Sequence, residues 1–300
     1  MNIAERKYSI ITCFMGAVKD RFIDYQPVRS MLEMVKMASQ VKRCKGLELV
    51  YPQNFQHASE VKDMLSDYGL RVSTVNLNVK SDPAWRFGSF THTDPATRQL
   101  AISQMKRSMD SAAELACDTV TCAMLGDGAD YSFEIHYEDA YKHALDGIRE
   151  AAAHLPEIRI SIEYKLSEPR VHCLLNNAGK TACFAQLTGC DNVGVTLDFG
   201  HALQSKEVPA DSVAFLSMMR KLFYVHINDN DRNWDWDMVP GMINLWDYIE
   251  FALALKTARY DGWITADVFP QRHDPILIME KTFAWMDDIF DIAEKVDQRK

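Results

Sequence analysis

Residues 118–164 read DTVTCAMLGDGADYSFEIHYEDAYKHALDGIREAAAHLPEIRISIEY. The first seven and the last seven are short runs of β-branched and apolar residues, the pattern of buried strands. Between them, YEDAYKHALDGIREAAAHL repeats apolar residues at i, i+3, i+4 and i+7, which makes one face of a helix. Strand, helix and strand in succession imply a βαβ unit, with parallel strands and a right-handed crossover.

The same pattern runs through the rest of the chain. Upstream strand-type runs are YSIIT (from Tyr8), GLELVY (from Gly46) and RVSTVNL (from Arg71); downstream are VGVTLDF (from Val193), LFYVHI (from Leu222) and GWITADV (from Gly262). Helical-period segments such as VRSMLEMVKMASQV and ATRQLAISQMKRSMDSAAELA lie between them. Eight alternations in 300 residues fit a closed (β/α)8 TIM barrel better than an open doubly wound sheet, which would carry a GxGxxG turn after its first strand. The expected fold is therefore α/β, a single TIM-barrel domain over residues 1–300. Its first helix should start near Pro27 and its last should run from about Pro275 to Lys295.

Composition narrows the function. Hydrophobic residues make up 47% and charged residues 25%, enough for a large core. A formal net charge of -9 argues against nucleic acid as a partner, since phosphate-backbone binders carry a basic stripe. No run approaches the ~18 apolar residues of a membrane span, and MNIAERKYSIITC lacks a leader's apolar stretch, so a cytoplasmic protein is expected. Seven cysteines without a CxxC pair imply reduced, mostly buried thiols and no zinc knuckle.

A barrel places its chemistry at the carboxyl ends of the strands. SIEYKLSEPR ends the fifth strand, with Glu163 and Lys165 two residues apart and so on one face. GVTLDFGHA ends the sixth, with Asp198 and, three residues on, His201. His226 ends the seventh, and Asp267 ends the eighth in ITADVFPQR. Glu163, Asp198, His226 and Asp267 form an oxygen-rich set with one imidazole, suited to Mn2+, Mg2+ or Co2+ and acceptable to Zn2+. After His226, HINDNDRNWDWDMVPG holds seven Asn or Asp residues within twelve positions, more than turns require. In an extended segment Asp235 and Asp237 would face one way and Trp234 and Trp236 the other, giving a second ion site with His201, bridged by Asp198.

These residues resemble the xylose isomerase-like barrels, and within them the free-sugar aldose–ketose isomerases. IEYKLSEPR is similar to the family's EPKPNEPR at Glu163, Lys165, Glu168, Pro169 and Arg170. LDFGHA resembles its acid-x-G-H segment, HINDN…WDWDMVPG its HIDLN…YDQDLxFG, WRFGSFTHTDPATRQLAI its DGxFTxxDxxVRxxAI, and LGDGADY its glycine-rich turn after strand four. Xylose isomerase proper has Glu at the place of Asp198 and Asp at the place of Asn228. The order Glu, Asp, His, Asp is closer to L-rhamnose isomerase and the ketose 3-epimerases.

The resemblance implies an enzyme with two divalent metal ions, manganese first among them. It would interconvert a small unphosphorylated aldose and ketose of L-rhamnose, D-apiose or pentose type, as a homodimer or homotetramer. Glu163, Lys165 and Asp237 would be catalytic, and Trp85, Phe87, Glu168 and Arg232 substrate-binding. The alternative is a ketose 3-epimerase with one metal, in which Arg232 contacts substrate while Lys165, Asp235 and Asp237 have no role.

Overall fold

The computed structural model describes residues 6–55 and 57–296. Eight parallel strands, β1 (Lys7–Ile11), β2 (Cys44–Tyr51), β3 (Arg71–Leu77), β4 (Thr119–Ala123), β5 (Arg159–Glu163), β6 (Val193–Asp198), β7 (Leu222–Ile227) and β8 (Trp263–Ala266), close into a barrel in the order β1-β8-β7-β6-β5-β4-β3-β2. Each falls on one of the eight runs read from the sequence.

The helices among the described residues are α1 (Met31–Gln40), α2 (Ala58–Asp67), α3 (Pro95–Glu114), α4 (Tyr137–Ala152), α5 (Ala178–Leu187), α6 (Phe199–Gln204), α7 (Pro209–Met218), α8 (Leu245–Thr257) and α9 (Pro275–Ala293). Their starts are set by local side chains. Ser30 and Glu33 form a reciprocal capping box on α1, Asp94 caps α3 and Asp274 caps α9. The first helix therefore begins at Met31 and not near Pro27, because Ser30 accepts from the Glu33 amide. The stretch after β1 instead holds a 3-10 turn (Thr12–Met15) and a small hairpin of Val18–Lys19 with Asp24–Gln26. The last helix stops at Ala293, short of Lys295. Helix α9 packs beside α1 and α8, so the last helix and the first share one barrel wall. The expected domain limits, 1 and 300, lie outside the described residues.

Strands of such a barrel are covered on both faces, which is why they read as near-continuous apolar runs. In β6, Val193, Val195 and Leu197 are fully buried in the apolar core, while Thr196 points inward to Ser161 Oγ (2.7 Å) and Thr121 Oγ1 (2.9 Å). On the other side of the interior Ser9, Thr265, Tyr224 and Ser73 form a second chain of hydroxyl hydrogen bonds. These hydroxyl layers are fully satisfied and form the floor beneath the strand ends. Period two then fixes what stands above them: Glu163 follows Ser161, Asp198 follows Thr196, His226 follows Tyr224 and Asp267 follows Thr265. In register, Asp198 lies opposite His226 on the neighbouring strand.

Among the cysteines, which form no disulfide, Cys117, Cys122 and Cys173 are buried but Cys13 and Cys183 are exposed, so burial is less general than expected. No helix among the described residues is long and apolar enough to cross a membrane.

Candidate metal centre and substrate cavity

The four strand-end side chains expected to bind metal converge. One ligand atom each from Glu163, Asp198, His226 and Asp267 falls within 4.8 Å of the others, and a second group, Asp198, His201 and Asp235, meets the same limit. His226 Nδ1 faces the first group, at 3.2 Å from Glu163 Oε1, 3.6 Å from Asp267 Oδ2 and 3.9 Å from Asp198 Oδ2. Asp198 also caps α6, accepting from the His201 amide at 2.8 Å, while its other oxygen accepts from Asn228 Nδ2 at 2.9 Å. Strand end and helix start are thus locked together, and His201 is carried to the mouth one helical turn later. Its Nε2 lies 3.0 Å from Asp235 Oδ2, and its Nδ1 lies 3.3 Å from Glu163 Oε1.

Lys165 continues beyond β5 on the same side as Glu163. Its ammonium lies 2.8 Å from Asp235 Oδ2, pairs with Glu168, and sits over the Trp234 ring. Asp237 was expected to share the second ion site through extended alternation. It instead has a left-handed backbone (φ 48°), which breaks the alternation, and it lies outside both ligand groups, 3.4 Å from Asn228 Nδ2. The two tryptophans differ as well: Trp234 covers Lys165, whereas Trp236 is half exposed and donates to Asp231. Asp235 and Asp237 nevertheless both line the cavity above the ligand groups.

That cavity encloses about 610 Å3, within the range of small-ligand sites. Glu163, Lys165, Glu168, His201 and Asp267 line it on one side, and Trp85, Asn78, Lys80 and Arg86 on the other. Trp85, expected at the substrate, is 2% exposed and lines this cavity. Two other expected substrate contacts are placed elsewhere. Phe87 is 72% exposed and lines a neighbouring cavity, because the chain turns outward after the 3-10 segment Pro83–Trp85. Arg232 also has a left-handed backbone (φ 66°); its guanidinium binds Asn244 Oδ1 (3.1 Å) and Asp247 Oδ1 (2.7 Å) of the α8 region and does not line the cavity.

Burial opposes every charge here, and neighbours decide the outcome. It pushes the Glu163 carboxyl up, but His226 and then His201 outweigh it and bring it down to about 2. It would depress His201, which Asp198 and Asp235 instead raise to about 9. Asp267 is pushed up to about 8 by burial, with Asp198 and Glu163 adding to it against His226. Asp237 is held far above the carboxylate range by burial, then by Asp235 and Asp267. Lys165, which burial would depress, stays cationic because Asp235 and Glu168 lie against it.

The carboxylates thus outnumber the cations that could compensate them. Two polar atoms in the same place, His201 Nδ1 and Asp235 Oδ1, are buried without a hydrogen-bond partner. Excess acid, orphaned donors of ligand type and oxygen atoms with one imidazole nitrogen at close range all fit a divalent cation.

One buried carboxylate escaped the sequence reading. Glu48 of β2 is fully buried, its Oε2 lies 2.9 Å from His226 Nε2, and its Oε1 accepts from Asn76 Nδ2 of β3 at 2.6 Å. The signal was present, an acid inside the apolar run GLELVY, but its partner lies across the barrel.

The chain matches the family described as xylose isomerase-like TIM barrel over residues 37–289, and it belongs to that family. It is 28% identical over 229 residues to a probable sugar isomerase of Rhizobium meliloti, covering 72% of this chain and 52% of that protein. It is also 28% identical over 211 residues to a xylose isomerase of Thermus thermophilus, covering 67% of this chain and 54% of that one. The chain spans about half the length of these curated relatives. Among solved structures, a D-tagatose 3-epimerase-like protein superposes with a TM-score of 0.76 at 17% identity, covering 97% of this chain and 99% of that one. D-Allulose 3-epimerase from Methylomonas sp. gives a TM-score of 0.73 at 18% identity, covering 95% and 97%. At such identities the structural likeness speaks for the fold.

Proposed function

We propose that the chain is a divalent-metal-dependent aldose–ketose isomerase acting on a small unphosphorylated sugar. The observation that carries this reading is the pair of ligand groups sharing Asp198, with the Lys165 ammonium held on Asp235 in the wall of the same cavity. Glu163, Asp198, His226 and Asp267 would hold one ion, and Asp198, His201 and Asp235 a second. Manganese suits these donors, as do magnesium and cobalt. Two such ions supply Lewis-acid polarisation of neighbouring sugar oxygens and charge stabilisation.

The side chains do the rest. Converting an aldose to a ketose removes the proton from O2, moves hydrogen with its electron pair from C2 to C1, and protonates O1. Lys165 donates a hydrogen bond to the carbonyl oxygen as it gains charge, with its own orientation fixed by Asp235 and Glu168. Asp237, a cavity-lining carboxyl that burial and its acidic neighbours keep protonated, gives its proton to O1 and takes one back from O2. Trp85 forms the apolar face against which the sugar carbons lie.

A second reading, ketose 3-epimerase, gains from the position of Asp237 outside both ligand groups. It would use Glu163 and Asp267 as the two carboxylates that pass a proton across C3. It needs Arg232 at the substrate, and that side chain is engaged by Asn244 and Asp247. Asp237→Asn separates the readings: the isomerase scheme expects loss of most turnover in a folded protein, and wild-type rates in that variant would remove the role given to Asp237.

A further inference from the structure

His226 is held by carboxylates at both ring nitrogens. Nδ1 faces Glu163, Asp198 and Asp267, while Nε2 meets Glu48 Oε2 at 2.9 Å. Glu48 stands on β2, and two strands, β1 and β8, separate it from β7 along the barrel wall, so the contact crosses the interior. Its place is set independently of His226. Asn76 Nδ2 donates to its other oxygen at 2.6 Å, and Thr12 Oγ1 donates to its backbone carbonyl at 2.5 Å. The Tyr224 ring meets the imidazole edge-on, with centroids 5.5 Å apart. Glu48, His226 and Tyr224 are at most 1% exposed.

We propose that Glu48 is a positioning residue for the metal centre: it holds the proton on His226 Nε2 and so presents the Nδ1 lone pair to Glu163, Asp198 and Asp267. A carboxylate accepts and does not donate, so Nε2 keeps its hydrogen toward Glu48, and a cation bound among Glu163, Asp198 and Asp267 would take the place of any proton that Glu163 draws onto Nδ1. The other nitrogen is then the one that can ligate, and its basicity rises with the negative charge behind the ring. The chain Asn76, Glu48, His226 thus fixes tautomer, tilt and ligand strength together, from strands that contribute no ligand of their own. A buried acid with one strong partner could also serve only to hold the barrel together, and the two roles differ in what they predict for metal affinity.

The inference rests on the reading of the four strand-end residues as a metal site, so the test measures Mn2+ itself. Wild type, Glu48→Met and Glu48→Gln are stripped with chelator, their melting temperatures recorded, and Mn2+ binding followed by calorimetry and by the electron paramagnetic resonance of free Mn2+. Glu48→Met, which removes both acceptors, is expected to bind about 10- to 100-fold more weakly at the tighter site. Glu48→Gln keeps the volume and one acceptor oxygen and should recover part of that loss. Should Glu48→Met fail to fold, Glu48→Gln alone still decides, since it is expected to bind on the order of 10-fold more weakly. Wild-type affinity in the folded variants overturns the role of Glu48 while leaving the metal centre in place; failure of wild type to bind Mn2+ overturns both.

Discussion

Asp235 Oδ2 is shared: the Lys165 ammonium lies 2.8 Å from it and His201 Nε2 3.0 Å from it. One oxygen therefore fixes both the residue assigned to the carbonyl and the imidazole assigned to the second ion. Lys165→Met should lower kcat by about 100- to 1000-fold, the usual cost of losing a donor to a developing oxyanion, with a smaller change in KM. Steady-state kinetics on the metal-loaded enzyme checks this, and an unchanged kcat would remove Lys165 from the chemistry.

Asp127 holds the cavity wall. Its fully engaged carboxylate accepts from the Ser89 amide (2.9 Å) and hydroxyl (2.5 Å) and from the Thr91 amide (2.8 Å) and hydroxyl (2.6 Å), clasping the segment that carries Trp85 and Arg86 to the loop after β4. Asp127→Ala would leave buried donors unpaired, at a cost of roughly 2–4 kcal/mol. Urea unfolding should show that loss together with a raised KM; stability within about 0.5 kcal/mol of wild type would contradict the clasp.

The buried site also predicts how the chelated protein responds to pH. His201 is raised from 6.5 to about 9, so its contribution to stability is complete below pH 6.5 and is lost as pH rises through 9. Asp267, raised from 3.8 to about 8, acts in the same direction, because above pH 3.8 the unfolded chain ionises while the fold keeps the proton. Glu163 works at the other end: lowered from 4.5 to about 2, it stabilises above pH 4.5 and ceases to do so as pH falls. The melting temperature without metal should therefore decline from pH 6.5 to 9. Mn2+ should raise it more at pH 8 than at pH 6, since ligands must lose protons to bind. A melting temperature flat over that interval would contradict these assignments.

What the sequence made legible follows from which interactions are local. Eight strands were readable because each is a short apolar run bounded by helical-period segments. The grouping of Glu163, Asp198, His226 and Asp267 was readable because a barrel turns strand ends into one ring, so their approach needed no knowledge of distant contacts. His201 followed from its spacing to Asp198, which caps the helix it sits on.

The remainder depended on partners far apart in the chain or on single backbone angles. Glu48 meets His226 from 178 residues away. Arg232 finds Asp247 through the fold of the loop, and Phe87 turns out of the cavity that Trp85 lines two residues earlier. Alternation in WDWD assumed an extended chain, and the left-handed residue at Asp237 ends it.

Removing a ligand shared by both groups should be more damaging than removing one. Asp198→Asn is expected to weaken both Mn2+ sites, whereas Asp235→Asn should spare the tighter one. Counting bound Mn2+ per chain after equilibrium dialysis distinguishes them: about one ion for Asp235→Asn against about two for wild type, following the ligand sets assigned here. Equal counts in Asp235→Asn and wild type would dissolve the second site.

The bond chemistry itself is the most direct test. The Mn2+-loaded enzyme would be incubated with a panel of unphosphorylated aldoses and ketoses, including L-rhamnose, D-lyxose, L-ribose and D-apiose, and the products identified by carbon-13 NMR. The isomerase account predicts that at least one aldose is converted to the ketose with its carbonyl moved from C1 to C2 and its configuration at C3 unchanged. Products altered only at C3 would contradict it and assign the site to an epimerase.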